Sequence, residues 1–152
     1  MQALEAMGAD LKVEEGYVKA AAIHGLKGAH INFEFPSVGA TEHAMLTATL
    51  AQGTTVLENA AREPEIADLA DCLNSMGAKV SGAGTSTITI EGVEKLSGTK
   101  HRVMADRSEA GTYAMAAAVT GGDVTLEGAP VQALGAMIIK LSEAGVTVDA
   151  DE

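Results

Sequence analysis

Tryptophan is absent from this 152-residue chain, aromatics make up 3% of it, and it holds three prolines and one cysteine. The lone Cys72 excludes an internal disulfide framework and fits a reducing compartment, so a cytoplasmic location is expected. Basic residues are scarce too: 10 Lys and Arg stand against 21 Asp and Glu, a net charge of −11. The basic stripe that a nucleic-acid backbone requires is missing, and an anionic membrane surface would repel the chain. Long apolar runs are also missing. The longest, residues 113–119, is mostly alanine, whereas a membrane-spanning helix needs about 20 apolar residues. No basic–apolar–small leader pattern opens the chain. The length suits one domain of ~100–200 residues.

What is present is small. Hydrophobic residues make up 47%, but 28 of the residues are alanine and a further 17 are glycine. Such elements pack closely while each buries little area, at roughly 25 cal/mol per Å² of apolar surface. Leu, Ile, Val and Met recur at regular spacings, which excludes a disordered chain.

The sequence repeats. Leu4-Glu-Ala-Met-Gly-Ala-Asp-Leu11 returns as Leu73-Asn-Ser-Met-Gly-Ala-Lys-Val80 and as Leu141-Ser-Glu-Ala-Gly-Val-Thr-Val148, with glycine spacings of 69 and 68. Leu50-Ala-Gln-Gly-Thr-Thr-Val-Leu-Glu-Asn-Ala60 matches Val119-Thr-Gly-Gly-Asp-Val-Thr-Leu-Glu-Gly-Ala129 at the same period. The chain therefore holds about 2.2 units of about 69 residues.

The complete unit reads as an α/β module. Residues 29–35 alternate Ile31, Phe33 and Phe35 against polar neighbours, the pattern of a half-buried strand. A helix is expected over 41–51, with Thr41 as its N-cap and Gly53 just past its end. A strand follows at 54–57. Pro64 then opens a second helix, in which Ile66, Leu69, Ala70, Leu73 and Met76 keep helical spacing. Strands at 79–81 and 86–91 flank the turn Gly82-Ala83-Gly84. The expected fold class is α/β, in repeated β-α-β-α-β-β units. Residues 1–7 read as the end of a preceding unit's second helix, and the chain stops inside the third unit, so a piece of something longer is expected.

Two corners could carry chemistry. Ser37-Val-Gly-Ala-Thr41 lies between a strand end and a helix start, where free amides and the helix dipole favour an anion. The plainer reading is an ordinary turn that Thr41 caps. Ala61-Arg-Glu-Pro-Glu-Ile66 gathers three charges at the next helix start, with Arg62 able to pair with Glu63 or Glu65. Capping and surface pairing compete there with a general acid–base carboxylate. Asp106-Arg107-Ser108-Glu109 is the corner of the third unit, where Arg107 could grip an anion or form a salt bridge.

Other candidates read as structural. His24, His30, His43 and His101 lack paired ligand spacing, so no metal is expected, and His43 should face solvent. Cys72 lies mid-helix beside Leu69 and Leu73, as a packing residue. Gly121-Gly122 precedes an expected strand rather than a helix, so a dinucleotide fingerprint is absent. The seven methionines read as core filling.

Leu11-Lys-Val-Glu-Glu-Gly-Tyr-Val-Lys-Ala20, Gly25-Leu-Lys-Gly-Ala-His30, Phe35-Pro-Ser-Val-Gly-Ala-Thr41 and Gly53-Thr-Thr-Val-Leu-Glu-Asn-Ala-Ala-Arg-Glu-Pro-Glu-Ile66 together resemble the enolpyruvyl transferase family. The resemblance is to its bacterial UDP-N-acetylglucosamine 1-carboxyvinyltransferase branch. It implies an inside-out α/β barrel fold, incomplete here, in a parent of two domains with three repeats each. Residues 1–102 would belong to the UDP-sugar-side domain, and residues 103–152 would begin the return into the other. The implied parent moves the enolpyruvyl group of phosphoenolpyruvate to UDP-N-acetylglucosamine in peptidoglycan precursor synthesis, without metal or organic cofactor.

The resemblance carries over Pro36, Ser37, Val38 and Gly39 as nucleotide-sugar contacts, and Phe35 more weakly. It carries over no catalytic residue: the family's reactive-cysteine loop lies outside this stretch, and Cys72 does not match it. The isolated chain is expected to be inactive. The alternatives are a free-standing, non-catalytic binding domain on the same scaffold, or a fragment of a shikimate-branch relative. Exposed Met115, Val119, Met137, Ile138 and Leu141 would form an apolar patch favouring self-association.

Overall fold

The structure is a computed structural model that describes residues 1–150. The chain divides into two compact units, Met1–Arg102 and Val103–Glu152. Among the described residues, no helix is long and apolar enough to cross a membrane.

The first unit opens with a short helix α1 (Gln2–Ala6) and an antiparallel hairpin, β1 (Asp10–Glu14) and β2 (Tyr17–Ala21). Glu15 and Gly16 both take positive φ, which a two-residue hairpin turn with the right twist requires. Apart from half-buried Leu11, every residue of this hairpin is exposed.

The complete module follows in the expected order: β3 (His30–Asn32), α2 (Val38–Ala48), β4 (Thr54–Glu58), α3 (Pro64–Ser75), β5 (Lys79–Ser81) and β6 (Thr87–Glu91). Its strands form one sheet in the order β3-β4-β6-β5, with β3 and β4 parallel and the other neighbours antiparallel. Side chains alternate between faces along each strand, so one register fixes the core. Leu57 stands opposite Ile31 and Ile88, and Ile90 opposite Thr55 and Val80, all buried. Thr41, Ala44, Met45 and Ala48 of α2 and Ile66, Ala70 and Leu73 of α3 are buried as well. The alanines let the helix backbones come close, and Met7 and Met45 are the large side chains that complete this core. The remaining methionines vary, and Met1 and Met115 are exposed.

Edges and ends are tied by polar groups. Asn74 reaches the edge strand β5, donating to the Val80 carbonyl at 2.9 Å and accepting from its amide at 2.8 Å. It thereby occupies part of an edge that would otherwise invite another strand. Residues 92–102 then run as a strap. The amides of Gly92, Val93 and Ser97 donate to Gly53, Thr49 and Met76, and the His101 ring meets Asp68 at 3.1 Å. A Cβ at Gly92 would collide with the Ala51 carbonyl, so only glycine lets the strap begin there.

Three expectations are corrected. The first strand is His30–Asn32 rather than 29–35. It is an edge strand whose one partner among the described residues, β4, turns away at Asn59, where φ is +54°, and Phe35 ends 69% exposed. The helix expected over 41–51 is Val38–Ala48, and its N-cap is Ser37 rather than Thr41. The strand expected after Gly121-Gly122 is absent: among its described residues the second unit contains α4 (Arg107–Thr120), a 3-10 turn (Val131–Ala133) and α5 (Gly135–Glu143), and no strand. A strand must pair to satisfy its backbone, and the second unit supplies no partner strand.

Asp106 caps α4 through Ser108 and Glu109, and Gly121 ends it in the left-handed conformation. Gly111 packs against Met137, where a Cβ would meet the sulfur at 2.9 Å. Only Gly111 and Leu134 of the described residues in this unit are buried. Of the expected patch, Met115 and Val119 are exposed, and Met137, Ile138 and Leu141 are half-buried.

The Thr55 hydroxyl in β4 is fully buried and has no hydrogen-bond partner among the described residues. Thr55→Val removes that unpaired group at nearly constant shape and should raise the unfolding free energy by about 1 kcal/mol. A higher urea midpoint is the expected result, and an unchanged or lower one would show that the hydroxyl is satisfied.

Candidate functional site

Because β3 and β4 run parallel, the loops that follow them emerge at the same end of the sheet. Ligands of open α/β sheets bind outside the carboxyl ends of the strands. The first corner runs from Phe33 to Ser37 and leads into α2, and the second runs from Asn59 to Glu63 and leads into α3.

In the first corner Ser37 is extended, with φ −138° and ψ 120°, and its Oγ accepts from the Ala40 amide at a long 3.4 Å. Val38 and Gly39 form the first turn, so their amides have no acceptor within the helix. Ser37 and Val38 are half-buried, whereas Phe35, Pro36 and Gly39 are exposed. Nothing lies within 4 Å of where a Gly39 Cβ would stand, so the glycine faces open space.

The second corner is fixed to the first. Asn59 donates from its side-chain amide to the Phe33 carbonyl at 2.9 Å, and Phe33 donates to the Glu58 carbonyl at 3.1 Å. Ala60 donates to Ser86. The fully buried Thr41 hydroxyl accepts from the Ala61 amide at 3.0 Å. Thr41 therefore serves the second corner, one loop away from the cap role expected of it.

A depression of about 390 Å³ opens where the corners meet, lined by Pro36, Ala60, Arg62 and Glu63. Of the nucleotide-sugar contacts expected from sequence, only Pro36 lines it; Ser37, Val38 and Gly39 follow in the adjoining turn of α2. Arg62 is exposed, and among the described residues no ion pair joins it to Glu63 or Glu65. The Glu63 carboxylate instead accepts from the Arg62 backbone amide at 2.9 Å.

The other candidates lie apart from this depression. Cys72 is half-buried in α3. His43 is exposed on α2, and His30 pairs with Glu58 across β3 and β4 at 3.1 Å. Among the described residues, no group of three His, Cys, Asp or Glu side chains is placed to hold a metal ion. Sequence reasoning missed the Thr41–Ala61 and Asn59–Phe33 bonds. The one available signal was Asn59 ahead of a small-residue pair, since asparagine tolerates the left-handed conformation.

A family model described as EPSP synthase (3-phosphoshikimate 1-carboxyvinyltransferase) matches residues 1–152. The UDP-N-acetylglucosamine 1-carboxyvinyltransferase of Hyphomonas neptunium is 77% identical over the whole chain, which covers 36% of that protein. The enzyme of the same description from Acidiphilium cryptum is 60% identical over 148 residues, 97% of this chain and 35% of that one. The chain thus spans about a third of the length of the curated relatives it matches. Among solved structures, the enolpyruvyl transferase NikO from Streptomyces tendae superposes with a TM-score of 0.78 at 20% identity, covering 99% of this chain and 39% of that one. An EPSP synthase from Acinetobacter baumannii superposes with a TM-score of 0.66 at 28% identity, covering 99% and 36%.

The bond between the corners can be tested without a ligand. Thr41→Val leaves the buried Ala61 amide without an acceptor and should cost about 1–3 kcal/mol of stability, while Thr41→Ser should restore most of it. Equal urea midpoints for the valine and serine variants would show that the hydroxyl carries no such load.

Proposed function

The chain belongs to the EPSP synthase (3-phosphoshikimate 1-carboxyvinyltransferase) family, and from that membership we propose that it is a segment of a UDP-N-acetylglucosamine 1-carboxyvinyltransferase. The observation that carries this reading is the 77% identity across all 152 residues to a relative of that description. The longer enzyme breaks the bond between the enolpyruvyl carbon and the phosphate oxygen of phosphoenolpyruvate. It forms a new bond from that carbon to a hydroxyl oxygen of the sugar, and phosphate leaves. The setting is peptidoglycan precursor synthesis in the cytoplasm. This segment contributes part of the nucleotide-sugar site and none of the reacting groups.

In this reading Met1–Arg102 belongs to the domain on the UDP-sugar side, and Val103–Glu152 begins the return into the other domain. Pro36, Ser37, Val38 and Gly39, with Phe35 beside them, meet the nucleotide sugar. The support is local: two first-turn amides free of helix acceptors, an exposed glycine, and loops at the carboxyl ends of parallel strands. The exposed faces of α4 and α5 support self-association when this segment stands alone.

The isolated chain should release no phosphate from phosphoenolpyruvate in the presence of the nucleotide sugar. Grafted in place of the matching third of the Hyphomonas neptunium enzyme, it should give an active chimera. An inactive chimera that is soluble and unfolds cooperatively would overturn the reading.

Within that chimera, Gly39→Asp separates binding from folding. An aspartate in the first turn complements the helix dipole and replaces a poor helix former, so α2 should gain up to about 1 kcal/mol. The same carboxylate would repel a diphosphate, so KM for the nucleotide sugar should rise while kcat changes less. Ser37→Ala should cost roughly 1–3 kcal/mol, part of it through the lost cap. An unchanged nucleotide-sugar KM in the aspartate variant would remove this corner from the site.

A further inference from the structure

Arg62 is the group at this end of the sheet that no internal role explains. Its guanidinium is exposed, and no ion pair engages it among the described residues, although 21 carboxylates populate the chain. Its backbone, by contrast, is held: the Arg62 amide donates to Glu63 Oε2, and the preceding Ala61 amide donates to buried Thr41. The side chain is thus mounted on a fixed point beside the depression that it lines with Pro36.

We propose that Arg62 is a further binding residue of the nucleotide-sugar site, gripping the diphosphate from the second corner while the Val38 and Gly39 amides meet it from the first. The inference rests on the function proposed above. A guanidinium presents a planar fork of five donors that matches phosphate oxygens two at a time, and it stays charged at any working pH. Glu63 and Ala60 offer no positive charge, and Glu63 is already engaged by the Arg62 amide. Among the described residues, Arg62 is therefore the one cation lining the depression, and the recognised chemistry is a nucleoside diphosphate. The bonds from Asn59 to Phe33 and from Ala61 to Thr41 fix the span between the two halves, so a ligand finds them preset.

The test uses the active chimera. Arg62→Gln should raise KM for the nucleotide sugar about tenfold or more, the size of a lost charge-assisted hydrogen bond. It should leave kcat within about threefold and KM for phosphoenolpyruvate unchanged. Arg62→Lys should recover part of the loss, because the charge remains while the fork is gone. Inhibition by UDP should weaken in parallel, and inhibition by uridine should not. The urea midpoint should hold, since the guanidinium makes no ion pair among the described residues.

A nucleotide-sugar KM within twofold of the parent overturns the proposal, and so does a rise confined to phosphoenolpyruvate. Equal weakening of UDP and uridine also overturns it, by assigning Arg62 a merely structural role. If Ser37→Ala raises KM while Arg62→Gln does not, this inference fails and the proposed function stands. A chimera that is inactive although soluble and cooperatively folded brings down both.

Discussion

The hydrogen bond from the Ala61 amide to the Thr41 hydroxyl ties the module together at the carboxyl end of its two parallel strands. Both groups are buried, and an amide left unpaired in such a place would cost about 1–3 kcal/mol. The bond sets the height of α2 against the loop entering α3, and with it the placement of Ser37, Val38 and Gly39 against Pro64. Asn59 supplies the second tie, taking over where the parallel ladder of β3 and β4 stops. The candidate site is a consequence of how the backbone satisfies itself where two parallel strands end.

Small residues make that arrangement affordable in space. Ala44, Ala48 and Ala70 bring the helices close to the sheet, while Met45, Leu57, Ile66, Ile88 and Ile90 fill the remaining volume. A core of this kind depends on close approach more than on bulk, so its tolerance for enlargement is low. Gly92 shows the same economy at the surface, where the strap crosses the Ala51 carbonyl with no room for a side chain.

Much of this was legible in the sequence, for identifiable reasons. The alternation in 87–91, the glycine turn at 82–84 and Pro64 at a helix start are local signals, and local energetics decided each of them. Phe35 misled because alternation reports a capacity for burial, whereas its strand lost its partner three residues earlier. Thr41 misled for a related reason. A threonine at a helix start caps by default, but here Ser37 holds that position and the Thr41 hydroxyl is taken by an amide 20 residues away. Nothing local encodes such a pairing. The His101–Asp68 contact, 33 residues apart, was equally invisible. The missing strand after Gly122 marks the same limit, since a strand is a property of two segments and a sequence window displays one.

All four strands of the main sheet lie between His30 and Glu91, and each pairs with a neighbour from that same stretch. Its pairings are closed over short and moderate chain separations, which shortens the conformational search. A ribosome adds about 5–20 residues per second, and domains fold as units while synthesis continues. The module therefore has what it needs to fold during translation. The strap of residues 92–102 is then the next piece to arrive, and it lays its backbone onto a surface already formed.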